Sequence, residues 1–289
     1  MKLFVLGNVG IDRFYYVKKF PFNGETILST KEIDDIGGKG FNQSIAAARV
    51  GIKISFWSYL GEDNYNKKII SILKKENIST KNITITDYKT DESVIIVNEK
   101  GENYIISSCN NVQAIGLDYA NNMLKKIKDG DSLLLQGNLK KEITYQILKL
   151  SYKKKVKTFL NASPITYDYL HILPYVDTLI INETENKVLT NFKDIVSGNK
   201  YLLKSGVKNI ITTKGKNGIT YTSNDKTFNL NSPKINAVDT TGAGDVFCGS
   251  CVAFLLKGHD YKESCMKAME LASLSATKFG TYLSIPNGN

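Results

Sequence analysis

Apolar and polar positions follow two rhythms along this chain. In the first third the pattern favours strands. Lys2 to Leu6 is a compact apolar run. Phe14 to Phe20 and Thr26 to Ile33 alternate and are joined through Pro21-Phe22-Asn23-Gly24, which predicts a hairpin. Ser93 to Asn98 and Asn103 to Ser108 flank Glu99-Lys100-Gly101-Glu102, a second hairpin. Between the hairpins a helix is predicted from Asn42 to Val50, closed by Gly51. From residue 115 the rhythm becomes helix, strand, helix, strand. Ser132 to Gln136, Lys157 to Asn161, Thr178 to Ile181 and Asn209 to Thr213 read as short buried strands. Helical stretches such as Tyr119 to Lys128 and Lys141 to Tyr152 separate them. This alternation predicts an α/β fold with a parallel sheet and helices on both faces. The two hairpins do not fit inside such a sheet. They predict a small antiparallel flap beyond the carboxyl ends of the strands, where ligands of open α/β sheets bind.

The whole chain, 1–289, is expected to be one domain, because no linker, repeat or low-complexity segment divides it. With 42% hydrophobic and 23% charged residues it is an ordinary globular sequence. Leu3 to Ile11 is too short for a signal peptide, and no run nears the roughly 18 apolar residues of a membrane span. A cytoplasmic protein without membrane contact is the default expectation. The net charge of +10 raises the question of nucleic acid. The excess is nearly all lysine, however, with Arg13 and Arg49 the only arginines, and base readout leans on the arginine fork. A solvated lysine surface is the simpler reading. Cys248 and Cys251 form a lone C-x-x-C without a second pair or a histidine at zinc spacing, so they read as core residues of a helix.

Two glycine-rich segments carry candidate chemistry. Asp239-Thr240-Thr241-Gly242-Ala243-Gly244-Asp245 precedes a helix, Val246 to Leu256. Backbone N–H groups and the helix dipole make such a start an anion site, and the dipole keeps an acid in the first turn ionised. The combination suits phosphoryl transfer: N–H groups steady the moving group while Asp245 takes the proton of an attacking hydroxyl. Gly37-Gly38-Lys39-Gly40-Phe41-Asn42 also opens a helix, and Lys39 and Asn42 can bond hydroxyls. It is neither a P-loop nor a dinucleotide fingerprint. That weighs against a nicotinamide-dependent oxidoreductase, as does Gly7-Asn8-Val9-Gly10, which lacks the third glycine. A non-catalytic nucleic-acid binder would have no need of Asp245.

Taken together these segments resemble the ribokinase-like sugar kinases, the PfkB family. Gly37 to Gly51 looks like the family's first signature and Asp239 to Ser250 like its second, with Asn182-Glu183-Thr184-Glu185 matching its Asn-x-x-Glu between them. The resemblance runs from Leu3 to Pro286. It implies a ribokinase-like fold, with lid strands at approximately 13–35 and 92–108, and an ATP-dependent carbohydrate kinase acting on a primary hydroxyl. A nucleoside kinase of the same family is the alternative. Asp245 would be the base, and Gly242, Ala243 and Gly244 the anion hole. Asn182 would approach the ATP phosphates, and Glu185 would order water around Mg²⁺; read alone, the pair is a helix cap and a solvated acid. Thr213, Lys214, Gly215 and Gly218 would border ATP, or simply form a hairpin turn. Met269 would lie near adenine or in the core. Asp239, Thr241, Ser275, Lys278, Gly280 and Ser284 fall where ribokinases hold K⁺. The lid implies a homodimer.

At the sugar end, Asp12, Gly38, Lys39 and Asn42 match residues that hold hydroxyls. Gly10 stands where ribokinase has asparagine, and Asn138 where it has glutamate. These changes put ribose itself in doubt, and the missing side chain at Gly10 is expected to make room for a bulkier substrate. Arg13 reads as a residue of the lid surface.

Overall fold

The computed structural model describes residues 1–288. Its strands are β1 Leu3–Leu6, β2 Gly10–Tyr16, β3 Lys31–Gly37, β4 Ile54–Gly61, β5 Ile83–Thr86, β6 Asp91–Val97, β7 Asn103–Ser107, β8 Ser132–Gln136, β9 Lys157–Asn161, β10 Thr178–Asn182, β11 Asn209–Thr213, β12 Ile219–Ser223 and β13 Thr227–Leu230. Its α-helices are α1 Lys39–Arg49, α2 Asn64–Lys75, α3 Asn110–Ala114, α4 Leu117–Lys126, α5 Lys141–Lys153, α6 Glu183–Thr190, α7 Ile195–Lys204, α8 Ala243–Leu256 and α9 Tyr261–Ser275.

Nine strands form one sheet in the order β13-β12-β11-β10-β9-β8-β1-β4-β5. It is parallel from β5 to β11 and antiparallel at the β12–β13 edge. The apolar run of β1 is buried on both faces, so its side chains divide by the two-residue period of a strand. Leu3 and Val5 face a core with α1, α2, α8 and α9. Phe4 and Leu6 face a second core with α4, α5 and α7. The predicted ribokinase-like layering is therefore present.

The remaining strands form a separate sheet, β3-β2-β6-β7. Each hairpin is antiparallel, and the two join through a parallel β2–β6 pair. The second hairpin lies close to its predicted bounds. The first is displaced: Phe14–Phe20 becomes Gly10–Tyr16, and Thr26–Ile33 becomes Lys31–Gly37. Apolar residues in the connecting segment misled the periodicity. Phe22 and Leu28 are largely exposed there. The true strand continues into the polar run Asp34-Asp35, whose second carboxylate is buried by hydrogen bonds from the Thr281 and Leu283 N–H groups. Helix α1 begins at Lys39, three residues before its predicted start, and α8 begins at Ala243.

Helix α8 is buried over most of its length and packs between α1 and α9. Cys248 and Cys251 lie in this core, as predicted, and the Cys251 and Cys265 sulfurs are 3.9 Å apart as free thiols. Burial pushes the Cys248 thiol far up, and the Cys265 contact adds to burial at Cys251, so both are inert neutral thiols. Among the described residues no helix is long and apolar enough to cross a membrane.

The α1–α8 contact needs Gly249, because a Cβ there would run into the Gln43 carbonyl of α1. Gly249→Ala is therefore expected to destabilise the protein by about 1–3 kcal/mol in urea denaturation. Gly116→Ala, where a Cβ meets nothing, should change stability by less than about 0.5 kcal/mol. Equal effects at the two positions would refute the packing argument.

Candidate active site

The carboxyl ends of adjacent parallel strands deliver polar residues in a row. The chain leaves β1 at Asn8, β8 ends at Gln136 and leads to Asn138, and β9, β10 and β11 end at Asn161, Asn182 and Thr213. Register keeps the row aligned, with Gln136 opposite Asn161 and Asn182 opposite Thr213. Helix α8 begins against this edge.

Gly242 starts α8 at φ 78°, a left-handed conformation that a side chain would strain. The Ala243 N–H bonds Thr240 O at 3.2 Å and the Asp245 N–H bonds Gly242 O at 2.9 Å. Among the described residues, the Gly242 and Gly244 N–H groups of this turn make no backbone hydrogen bond.

Asp245 is buried in the first turn of α8. Asn42 Nδ2 donates to its Oδ2 at 3.2 Å and Gln43 Nε2 to its Oδ1 at 2.9 Å. Lys39 Nζ lies 3.7 Å from Oδ1. Burial pulls the Lys39 ammonium down, but the charges of Asp245 and Glu185 outweigh it and hold its pKa above the ordinary lysine value. The two glycine-rich segments, some 200 residues apart in the chain, thus meet at one carboxylate.

On one side of Asp245 lies a cleft of about 560 Å³. Thr213, Gly215, Gly218, Ala243, Gly244 and Met269 line it, together with Phe247 and Ala272. The Thr213–Gly218 segment is both a hairpin turn between β11 and β12 and a wall of this cleft. Met269 belongs to the core cluster and to the wall. Lys214 departs from the expectation: it lines the neighbouring cleft beside Glu183 and Lys187, and its Nζ bonds Asn229 Oδ1 at 3.3 Å. Asn182 and Glu185 form a reciprocal capping box on α6, each side chain bonding the other's backbone N–H at 2.8 Å. The pair is thus a helix cap whatever else it does.

On the other side are the sugar-end residues. Asp12 of β2 is buried, and the Thr281 hydroxyl donates to its Oδ2 at 2.8 Å. Burial, assisted by the charge of Asp35 and opposed by the Thr281 bond, raises its pKa from 3.8 to about 7. Gly37 abuts Asp12 so closely that a Cβ would overlap its carboxylate. Asn42 Oδ1 and Asn138 Oδ1 are buried without partners, two acceptors suited to substrate hydroxyls. Gly38, with φ 98°, packs against Asn8 and Val9. Gly10 corrects the expectation of extra room: a Cβ there would strike the Asp91 carbonyl, so β6 already fills that space. Arg13 is pinned on the outer lid face by Asp34, Glu92 and the Tyr65 hydroxyl.

The six residues predicted around K⁺ lie where the C-terminal loop meets the segment before α8. Asp239 Oδ2 accepts from the Tyr16 hydroxyl at 2.7 Å and the Gly280 N–H at 3.3 Å, and Oδ1 from the Thr241 N–H at 2.9 Å. The Ser275 hydroxyl donates to Ser284 Oγ, which donates to Thr281 O, both at 2.8 Å. Lys278 lines a separate surface cleft with Arg49 and Glu76. The Asp239, Ser275 and Ser284 side chains are thus already hydrogen-bonded, and a cation there would lean on backbone carbonyls. Among the described residues no group of three or more His, Cys, Asp or Glu side chains is placed to hold a metal.

Several site residues had no part in the sequence reading. Thr281 holds Asp12, and Tyr16 holds Asp239. The lid tip reaches the segment before Gly242, where Asn103 Nδ2 donates to Thr241 Oγ1 and Thr240 Oγ1 to Gly101 O, both at 3.1 Å. Gln43, Gln136 and Asn161 connect Asp245 to the sheet. The available signal for the last two was a polar residue directly after the apolar centre of a short strand.

Comparison with known proteins agrees with this geometry. The pfkB family carbohydrate kinase profile matches residues 1–288. The ribokinase of Dictyostelium discoideum is 30% identical over 309 aligned positions, covering 99% of this chain and 97% of that relative. The deoxyribokinase of Salmonella typhimurium is 26% identical, covering 99% and 96%. The structure of Arabidopsis thaliana ribokinase complexed with ribose and ATP superposes with a TM-score of 0.85 at 26% identity, covering 99% and 96%. The chain belongs to the pfkB family of carbohydrate kinases. Within it, it is an ATP-dependent sugar kinase of the ribokinase group.

The raised pKa of Asp12 carries a linkage. A carboxyl raised on folding contributes stability that is full below its unfolded value of 3.8 and is lost as pH rises through about 7. Asp12→Asn should therefore stabilise the fold near pH 8, by about 4 kcal/mol at most, with no gain near pH 4. Urea denaturation at the two pH values tests this, and an equal gain at both would contradict it.

Proposed function

We propose that this kinase transfers the γ-phosphoryl group of ATP to a primary hydroxyl of a small sugar, with Asp245 as general base. The observation that carries the reading is the placement of Asp245. The preceding residues, Ala243 and Gly244, line the large cleft, while the Asp245 carboxylate is held by Asn42 and Lys39 of the sugar-side segment. Acid, anion donors and both substrate regions therefore share one helical turn.

In this reading Asp12, Lys39, Asn42 and Asn138 bond sugar hydroxyls, and the acceptor hydroxyl lies against Asp245. The carboxylate takes the proton as the alcohol oxygen bonds to the γ-phosphorus and the bond to the β-phosphate oxygen breaks, leaving ADP. The Gly242 and Gly244 N–H groups stabilise charge on the transferred group, assisted by the dipole of α8. Met269, Phe247 and Ala272 give the cleft an apolar wall for adenine. Mg²⁺ would be carried by the nucleotide phosphates and would neutralise their charge, with Glu185 ordering water around it and Asn182 near the phosphates. Backbone carbonyls near Asp239, Ser275, Gly280 and Ser284 suit K⁺, which would strengthen the anion site. The lid offers a homodimer face at Tyr104, Ile105 and Ile106, which are exposed on the edge strand β7.

A small sugar is favoured over a nucleoside because β6 occupies the space beside Gly10. Relatives named ribokinase and deoxyribokinase bracket the expected substrates. An ADP-release screen across pentoses, deoxypentoses, hexoses, nucleosides and amino sugars, with and without K⁺, is expected to give sugar-dependent turnover fastest on a pentose. Asp245→Asn should lower kcat on that sugar by about 10³-fold with ATP affinity kept. Near-normal turnover of this variant would overturn the assignment of the base.

A further inference from the structure

The buried polar groups behind Asp245 form a chain that the reaction itself does not use. Gln43 and Gln136 are fully buried, and Asn161 nearly so. Asn161 Nδ2 donates to the Ile180 carbonyl of β10 at 3.0 Å. Its Oδ1 accepts from Gln43 Nε2 at 2.9 Å, and the same amide nitrogen donates to Asp245 Oδ1 at 2.9 Å. Gln136 Nε2 donates to Gln43 Oε1 at 3.0 Å.

These bonds leave the Gln43 amide one orientation. Its two N–H groups face two acceptors, a carboxylate oxygen and the Asn161 oxygen. The Asn161 oxygen is fixed in turn, because the other end of that amide is committed to a backbone carbonyl. Turning the Gln43 amide over would set its oxygen against a carboxylate and leave buried donors unpaired, a cost of about 1–3 kcal/mol for each group. Gln43 cannot retreat either, since its own carbonyl packs against Gly249 of α8.

The two carboxylate oxygens of Asp245 consequently differ. Oδ1 has the fixed Gln43 donor and Lys39 at 3.7 Å, whereas Oδ2 has only the longer 3.2 Å bond from Asn42. We infer that Gln43 is a positioning residue for the base: it immobilises Oδ1, with Gln136 and Asn161 holding Gln43, so that Oδ2 is presented to the sugar hydroxyl. The inference rests on the kinase reading above. The charged or titratable groups facing Asp245 are Lys39 of α1, Cys248 of α8 and Asp12 of β2, with Glu185 of α6 acting on Lys39 and Cys248 in turn. None of them is altered by substitution at Gln43.

The test uses the full chain with Gln43→Met, which keeps length but not hydrogen bonds, Gln43→Glu, and Gln136→Met, which removes only the support. Gln43→Met is expected to lower kcat by about 10²-fold while KM for ATP stays within about threefold. Loss of a donor should move the acid limb of the kcat–pH profile upward by about one pH unit. Gln43→Glu should move it further, and Gln136→Met should act in the same direction but less. The Asp245 carboxyl titration is also followed directly by NMR, with thermal melting as the check on folding. A rise in the Asp245 pKa in Gln43→Met supports the positioning contact even if no sugar is turned over, an outcome that would instead defeat the kinase reading. An unmoved Asp245 titration and acid limb, with only a lower melting temperature, would reduce Gln43 to a packing residue and overturn the inference.

Discussion

The site depends on surrounding one buried carboxylate, Asp245, with donors. Burying an isolated anion is very costly unless donors are arranged around it. Here the first turn of α8 supplies a favourable dipole, and two amides and an ammonium from α1 surround Asp245. Both helices must start at the same point for this to work. Their approach is set by the lack of a side chain at Gly249 and by the core they share with α9. Packing remote from the chemistry thereby decides where the acid stands.

A second constraint joins the lid to the main sheet. The lid's own apolar cluster is small, centred on Phe14, Tyr16, Ile95 and Val97. Polar bonds to the body supplement it. Tyr16 reaches Asp239, Gly101 and Asn103 reach Thr240 and Thr241, and Asp12 and Asp35 hold the C-terminal loop through Thr281 and Leu283. The lid's side-chain hydrogen bonds to Asp239, Thr240 and Thr241 fall within three residues of Gly242. The position of the lid and the conformation of the turn into α8 are therefore mechanically linked.

Much of this was legible in the residues. The parallel strands from β8 to β11 are short, with apolar centres and well-punctuated ends, so their bounds could be read almost directly. That a glycine turn leads into α8 was legible at Gly242, although the helix begins at Ala243, three residues before the expected Val246. The first lid hairpin was not, because its strands carry Asp12, Asp34 and Asp35, and only tertiary partners make those carboxylates tolerable in a strand. Gly10 was misread for a related reason. A missing side chain can mean space for a ligand or close approach of backbone, and only the β6 pairing distinguishes them. The amide chain through Gln43, Gln136 and Asn161 is invisible to any periodicity, since its members come from three elements that meet only after folding.

The account is tested most directly by a crystal structure with the preferred sugar and a non-hydrolysable ATP analogue bound together. It predicts the primary hydroxyl within about 3 Å of Asp245 Oδ2, with the γ-phosphate beside the Gly242 and Gly244 N–H groups. A ternary complex with that hydroxyl out of reach of Asp245, or with the triphosphate outside the cleft bordered by Gly244 and Met269, would contradict it.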